Sequence, residues 1–153
     1  MLTIGTETVD DVRSEIEELL ALHWKEIAVW QDIPLAPIWE SYYAMEKSGN
    51  MVVYTVRDDQ NANKLVGYAV FFMRNHMHYK DHKWALNDII WVHPDCRDGK
   101  IGRNLVNYWE KDLQSRGVHV AHVNVKVAHP ALGLVLKWSK YQIVESGYEK
   151  RLN

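Results

Sequence analysis

The sequence predicts an α+β (mixed α/β) fold in which one central sheet is covered by helices on both faces. Three observations lead there: an amphipathic helical period near the N-terminus, β-branched runs separated by polar turns, and the segment "ALNDIIWV", apolar on both faces apart from Asn87 and Asp88. A strand buried on both sides needs a layer of helix on each. At 153 residues the chain is long enough for one core and too short for two ordinary ones, so residues 1–153 read as a single domain.

Between Thr8 and Ala28, apolar side chains at Val12, Ile16, Leu19, Leu20, Trp24 and Ile27 follow the helical period. Pro34 and Pro37 separate this helix from a second over Ile38 to Lys47, which "KSGN" ends, so two helices open the chain. Met51 to Arg57 and Leu65 to Met73 flank the polar turn "DDQNANK" and pair as an antiparallel hairpin. Trp84 to His93 is the central strand, reached across "HMHYKDH". Helical spacing returns at Ile101, Leu105, Tyr108, Trp109 and Leu113, and Gly117 stops that helix. "VHVAHVNVKV" at 118–127 alternates as a strand, Pro130 fits the first turn of a short helix to about Ser139, and "YQIVESGYEKRL" closes the chain as a strand or hairpin.

A formal charge of −2 gives no global pull toward nucleic acid, membrane or polyanions, so any anion site must be local. The single cysteine, Cys96, can form no intramolecular disulfide and no thiolate cluster, which suits a reducing compartment. "MLTIGTETVDDV" lacks a secretory signal pattern, and no apolar run approaches the roughly 20 residues that span a bilayer. The expected location is the cytoplasm, and the chain should fold alone or as an oligomer, a homodimer included.

The stretch "HPDCRDGKIGRNL" delivers a strand to a helix N-terminus, where unpaired N–H groups and the positive dipole end favour phosphate. Gly99 and Gly102 would let the backbone approach a diphosphate, and Arg97, Lys100 and Arg103 add positive charge. An ordinary turn with solvated cations is the competing reading.

"WVHPDCRDGKIGRNLV" resembles the acyl-CoA signature of the GNAT acetyltransferases: Arg97 opens the pattern and Gly102 closes it, with Lys100 where the first family glycine stands. "HPALGLVLKWSKYQIVE" is similar to the segment that follows in that family, with His129 at an Asn place and Tyr141 at an aromatic place. The Trp-rich first helix and "HMHYKDH" look similar to small bacteriophage-encoded members, which would place the protein in a host cytoplasm. The resemblance implies the GNAT fold, a mixed, mostly antiparallel sheet whose two parallel strands splay apart. It implies acetyl-CoA as cosubstrate, with its pantetheine beside Ile90, Trp91 and Val92 and its diphosphate around Arg97, Asp98, Gly99, Lys100, Ile101, Gly102 and Arg103, near His129.

The reaction so implied moves an acetyl group directly to a primary amine. Asp88 is the candidate base, since burial beside Ile89, Ile90 and Trp91 would raise its pKa, and a structural hydrogen bond is its other reading. The tyrosine that often serves as acid in the family falls on Leu136, and a glutamate sometimes used as base falls on Asn124, so either Tyr141 or water replaces the acid, or the thiolate leaves unaided, or the domain does not catalyse. A non-catalytic binding module acting through CoA or a protein partner is the alternative. His76, His78 and His82 could share a metal or line the acceptor cleft. His23, Trp24, Glu26 and Trp30, near the end of the first helix, read either as a packed helix end or as acceptor contacts.

Overall fold

A computed structural model describes residues 1–153. The elements are β1 (Leu2–Glu7), α1 (Val9–Ile27), α2 (Trp39–Lys47), β2 (Met51–Asp58), β3 (Lys64–His76), β4 (Tyr79–Val92), α3 (Lys100–Ser115), β5 (Val118–His122) and α4 (Ala131–Trp138). The strands lie in the order β1-β2-β3-β4-β5; every neighbouring pair is antiparallel except β4 and β5, which are parallel. The expected mixed sheet with helices on both faces is therefore present.

Side chains sort to the two faces by the period of a strand. On β2, Val52, Tyr54 and Val56 join Phe71, Leu105, Trp109 and Leu113 beneath α3, whereas Met51 and Val53 join Val12, Ile16, Tyr68 and Trp91 beneath α1. Both faces are dry, so β2 and β3 read as near-continuous buried runs. Helix α1 starts at a reciprocal cap in which the Asp11 N–H donates to Thr8 Oγ1 at 3.3 Å and the Thr8 N–H donates to Asp11 Oδ2 at 3.2 Å.

The structure corrects the sequence reading at four places. A strand, β1, precedes the helices; it has only Leu2 and Ile4 to pack on the core and is held by its ladder to β2, which gave little apolar signal. The "HMHYKDH" connection is not a long loop, because β3 runs to His76 and β4 begins at Tyr79. Strand β5 stops at His122 instead of continuing to residue 127. The last residues form no strand: Ile143 and Tyr148 are 83% and 93% exposed, so no sheet face rewards an extended pairing there. That tail is tied down by polar contacts, His122 Nε2 to Glu145 at 3.0 Å, Trp30 Nε1 to Glu149 at 3.0 Å, and Arg151 to Asp32.

Two core positions yield tests. A Cβ built at Gly67 would meet the Trp91 carbonyl oxygen and Val92 Cγ2, each at 3.0 Å, because β3 and β4 approach closely there. Gly67→Ala should therefore lower the unfolding free energy by about 1–3 kcal/mol in a urea titration. His23 is 2% exposed, its Nδ1 lies 2.9 Å from the Tyr68 hydroxyl, and burial pulls its pKa down to about 4 against the attraction of Glu26. As pH falls from 6.5 toward 4, the unfolded chain binds a proton that the folded chain refuses, so stability drops over that window. The acid loss should shrink by about 3 kcal/mol in His23→Gln, measured by denaturant unfolding at pH 7 and pH 4.

Candidate active site

The sheet opens where β5 leaves β4. Parallel pairing runs from Lys83↔Val118 to Leu86↔His122 and ends there, although β4 continues to Val92. At the next residue a side chain replaces the ladder: Asn87 Oδ1 accepts from the Asn124 N–H at 2.7 Å, and Asn87 Nδ2 donates to the Asn124 carbonyl at 3.2 Å. An amide side chain offers both a donor and an acceptor, so Asn87 satisfies the departing strand as a neighbouring peptide would. This answers why the central strand carries an asparagine.

Beyond Asn87 the edge of β4 is open toward the gap. The His93 N–H donates to the Val66 carbonyl at 2.7 Å, which sets the alternation of the β3–β4 ladder. Trp91 then pairs toward β3, and the backbone groups of Ile90 and Val92 face the gap. Arg97 Nε donates to the Val92 carbonyl at 2.8 Å, in agreement with that direction. Of the three residues expected beside a pantetheine, Ile90 and Val92 present backbone groups to the gap. Trp91 instead buries its ring beneath α1, with Nε1 donating to Glu26 Oε2 at 2.8 Å.

Asp88 is the extra residue of a β-bulge. Val70 is opposite Ile89 and Phe71 is opposite Asn87, so Asp88 has no partner of its own on β3. Strict alternation would send adjacent side chains to opposite faces, yet Asp88 and Ile89 line the same cleft; the bulge re-aims one of them. Tyr42 on α2 donates its hydroxyl to Asp88 Oδ2 at 2.6 Å. The crowded cleft wall raises the Asp88 pKa above the usual carboxylate value, and the Tyr42 hydrogen bond offsets part of that rise. Burial and the same bond hold the Tyr42 phenol protonated. Asp88 nevertheless remains accessible from the cleft.

At the mouth of α3 the geometry is more particular than the motif suggested. Asp98 Oδ1 accepts from the Lys100 and Ile101 N–H groups, both at 2.9 Å, and those bonds lower its pKa. An anion thus already sits where a helix N-terminus attracts one. Gly99 has φ +77° with open space around a built Cβ, so its role is the left-handed turn into the helix. A Cβ on Gly102 would touch Val135 Cγ2 at 3.4 Å, which makes that glycine a packing contact between α3 and α4. The Lys100 side chain is exposed, and the Arg103 guanidinium lies 5.8 Å from the Trp138 ring centre.

Glu26, at the end of α1, gathers the remaining groups. Its carboxylate accepts from Trp91 Nε1 and from Arg97 Nη2 at 2.7 Å, and His129 Nδ1 lies 3.1 Å away. Burial works against its ionisation, but the Trp91 and Arg97 hydrogen bonds and the nearby charges outweigh it and lower its pKa. Glu26 therefore ties α1 to β4, to the loop before α3 and to the loop before α4. Arg97 and His129, both expected at the cosubstrate, are fastened to it.

Tyr141 is not brought to Asp88. It packs beneath α3, receives the Trp109 Nε1 hydrogen bond at 3.2 Å, and is pushed up to about 12 by burial, whereas Asp88 opens on the α1 face. Leu136, where the family acid would stand, is a 5% exposed core residue. His82 packs against His119 with the rings tilted, His76 clusters with His78, Tyr79 and Trp84, and none of the three expected histidines lines the Asp88 cleft. No three His, Cys, Asp or Glu side chains are arranged to hold a metal ion. No helix is long and apolar enough to cross a membrane.

The Asp88 cleft has a volume of about 440 Å³ and lies between α1, the 28–38 loop, α2 and the sheet. Trp24, Trp30, Trp39 and Tyr42 form much of its wall, with Lys126 and Glu149 at the side of the gap. Tyr42 and Lys126 were missed in the sequence. The only signal for Tyr42 was the aromatic run "WESYY" on α2.

Comparison with known proteins bears on this geometry. No curated protein sequence matches the chain. Among solved structures, glucosamine-6-phosphate N-acetyltransferase from Arabidopsis thaliana superposes with TM-score 0.74 at 12% identity, covering 100% of this chain and 99% of that one. Ribosomal-protein-alanine N-acetyltransferase from Brucella melitensis biovar Abortus 2308 gives 0.74 at 17% identity, with 100% of both chains covered. A predicted acetyltransferase from Clostridium acetobutylicum, crystallised with acetyl-CoA, gives 0.70 at 12% identity, covering 99% and 97%. Identities this low establish a shared fold and leave the acceptor undetermined. Residues 15–137 match the acetyltransferase (GNAT) family, so the chain belongs to the GNAT acetyltransferases, whose chemistry is acyl transfer.

Proposed function

We propose that the protein transfers an acetyl group from acetyl-CoA to a primary amine by direct attack, with Asp88 as the base. The observation that carries this reading is the adjacency of Asn87 and Asp88. One ends the β4–β5 ladder and opens the gap, and the next is bulged into a cleft beside it. An extended amide ligand lying in the gap can pair with the Ile90 and Val92 backbone as a strand would.

Acetyl-CoA would supply a thioester carbonyl at the inner end of the gap. The acceptor enters from the cleft as an ammonium and gives one proton to Asp88; the neutral amine so formed attacks the thioester carbonyl, the C–S bond breaks to release the thiolate, and the nitrogen sheds its second proton to water as the amide forms. Tyr42 fixes the orientation of Asp88, and its own proton stays in place because burial disfavours the phenolate. No side chain offers an acid at Leu136, so the released thiolate takes its proton from water.

The α3 mouth fits a diphosphate on one condition. Asp98 must rotate off the Lys100 and Ile101 amides, after which phosphate oxygens inherit its two hydrogen bonds. A cytoplasm, reducing and free of disulfide chemistry, is the compartment this chain suits.

Two measurements test the reading. With CoA release followed on an amine panel, Asp88→Asn should lower kcat/KM by about 10²–10⁴. The wild-type rate should rise with pH through the elevated Asp88 pKa, because only the ionised carboxylate accepts a proton, and the variant should lose that limb. Equal rates for both proteins would remove Asp88 from the mechanism. Separately, acetyl-CoA at 100 times its Kd should stabilise the native protein by about 2.7 kcal/mol. Asp98→Ala should bind acetyl-CoA more tightly and Gly102→Glu should not bind it; identical thermal shifts in all three proteins would place the diphosphate elsewhere.

A further inference from the structure

The acceptor cleft is built for a particular kind of amine. Apart from Asp88, Lys126, Glu149 and the Tyr42 hydroxyl, its lining side chains are aliphatic, aromatic or proline. Two of its polar hydrogens are already engaged: Tyr42 donates to Asp88 at 2.6 Å, and Trp30 Nε1 donates to Glu149 at 3.0 Å. A sugar or polyol entering here would lose water from several hydroxyls and find few partners, a penalty that apolar groups escape.

The 28–38 loop gives an independent sign. It holds Val29, Ile33, Leu35 and Ile38 at 65%, 49%, 44% and 65% exposure, an unusual density of apolar surface on so short a connection. Val29, Ile33 and Leu35 belong to the cleft wall, and Pro34 and Pro37 restrict the backbone that carries them. This apolar surface is continuous with the Asp88 carboxylate, as the wall of a substrate site would be.

Charge sets the orientation. Asp88 and Glu149 face one lysine, Lys126, so the cleft favours a cation, and the ammonium is drawn to Asp88 at the edge of the gap. Aromatic faces at Trp24 and Trp30 suit both a flat ring and an ammonium, whereas Trp39 already has the Arg13 guanidinium 5.0 Å from its ring centre.

Resting on the transfer reading above, we infer that the acceptor is a small apolar amine, an arylalkylamine or short alkylamine, and not a polyhydroxylated or polycationic one. The test compares kcat/KM for phenethylamine, tryptamine and hexylamine with that for glucosamine, kanamycin and spermidine, using acetyl-CoA as donor. The apolar set should exceed the polar set by at least about tenfold. Leu35→Asp, a change on an exposed loop, should reduce that ratio at least about tenfold. Turnover that favours the polar amines would overturn the acceptor inference and leave acetyl transfer intact. Binding without acetyl-CoA separates the two ideas: saturable quenching of tryptophan fluorescence by phenethylamine but not glucosamine, with no turnover of any amine, supports the cleft's preference and overturns transfer. Neither quenching nor turnover would overturn both.

Discussion

The site depends on one substitution of hydrogen bonds, the Asn87 carboxamide for a stretch of parallel ladder. Two strands cannot part inside a covered sheet without stranding N–H and C=O groups, and each unsatisfied group costs about 1–3 kcal/mol. Asn87 removes that cost at the point of divergence by serving both backbone groups of Asn124. The edge beyond is then open by design of the sequence, and Asp88, the next residue, is displaced into the cleft by the bulge. An aliphatic residue at 87 would leave Asn124 unsatisfied and favour either closure of the gap or solvent at its root.

A second constraint is electrostatic. Charged groups around the gap are matched to one another in this state: Glu26 takes Trp91, Arg97 and His129, and Asp98 takes the two N-terminal amides of α3. A diphosphate bound at the α3 mouth as proposed would therefore exchange one anion for another and would not fill an unsatisfied site. On that proposal the net gain would come from charge, since a diphosphate carries more of it than a carboxylate, and from the cations Lys100 and Arg103 nearby. Glu26 has a different place in the balance. Because it holds the end of α1 against Trp91 and Arg97, it helps set the distance between the Asp88 cleft and the open edge of β4.

Much of this was legible in the residues, and the failures share a cause. The period of α1, the hairpin of β2 and β3 and the doubly apolar β4 are local patterns, and they stand as read. Asn87 and Asp88 stand out in the sequence as polar residues in an apolar strand, although only Asp88 reads there as a site residue. What could not be read were contacts far apart in sequence. Tyr42 meets Asp88 across 46 positions, and Glu26 meets His129 across 103. Nothing in "WESYY" or "HWKEIAVW" announces either. The glycines show a subtler limit: Gly99 and Gly102 were assigned to backbone access, whereas φ at one and the Val135 contact at the other explain them here. The tail misled because "YQIV" has strand composition but lacks a face to bury.

The absence of an acid at position 136 follows a chemical asymmetry. An alkyl ammonium of the lysine type has a pKa of about 10.4, and an ordinary thiol about 8.5. Removing a proton from the nucleophile at neutral pH is therefore the harder task, while a thiolate leaves without much help. On the proposed reaction, a site with Asp88 as base and no acid at 136 would retain the more useful of the two. Leu136 then contributes by packing, at 5% exposure in the core beneath α3, and Tyr141 contributes through its bond from Trp109. Burial in the cleft raises the Asp88 pKa, and the Tyr42 hydrogen bond, which favours the ionised form, offsets part of that rise. A carboxylate left fully desolvated would be a stronger base but would spend more of its time protonated, and the phenol's hydrogen bond opposes that.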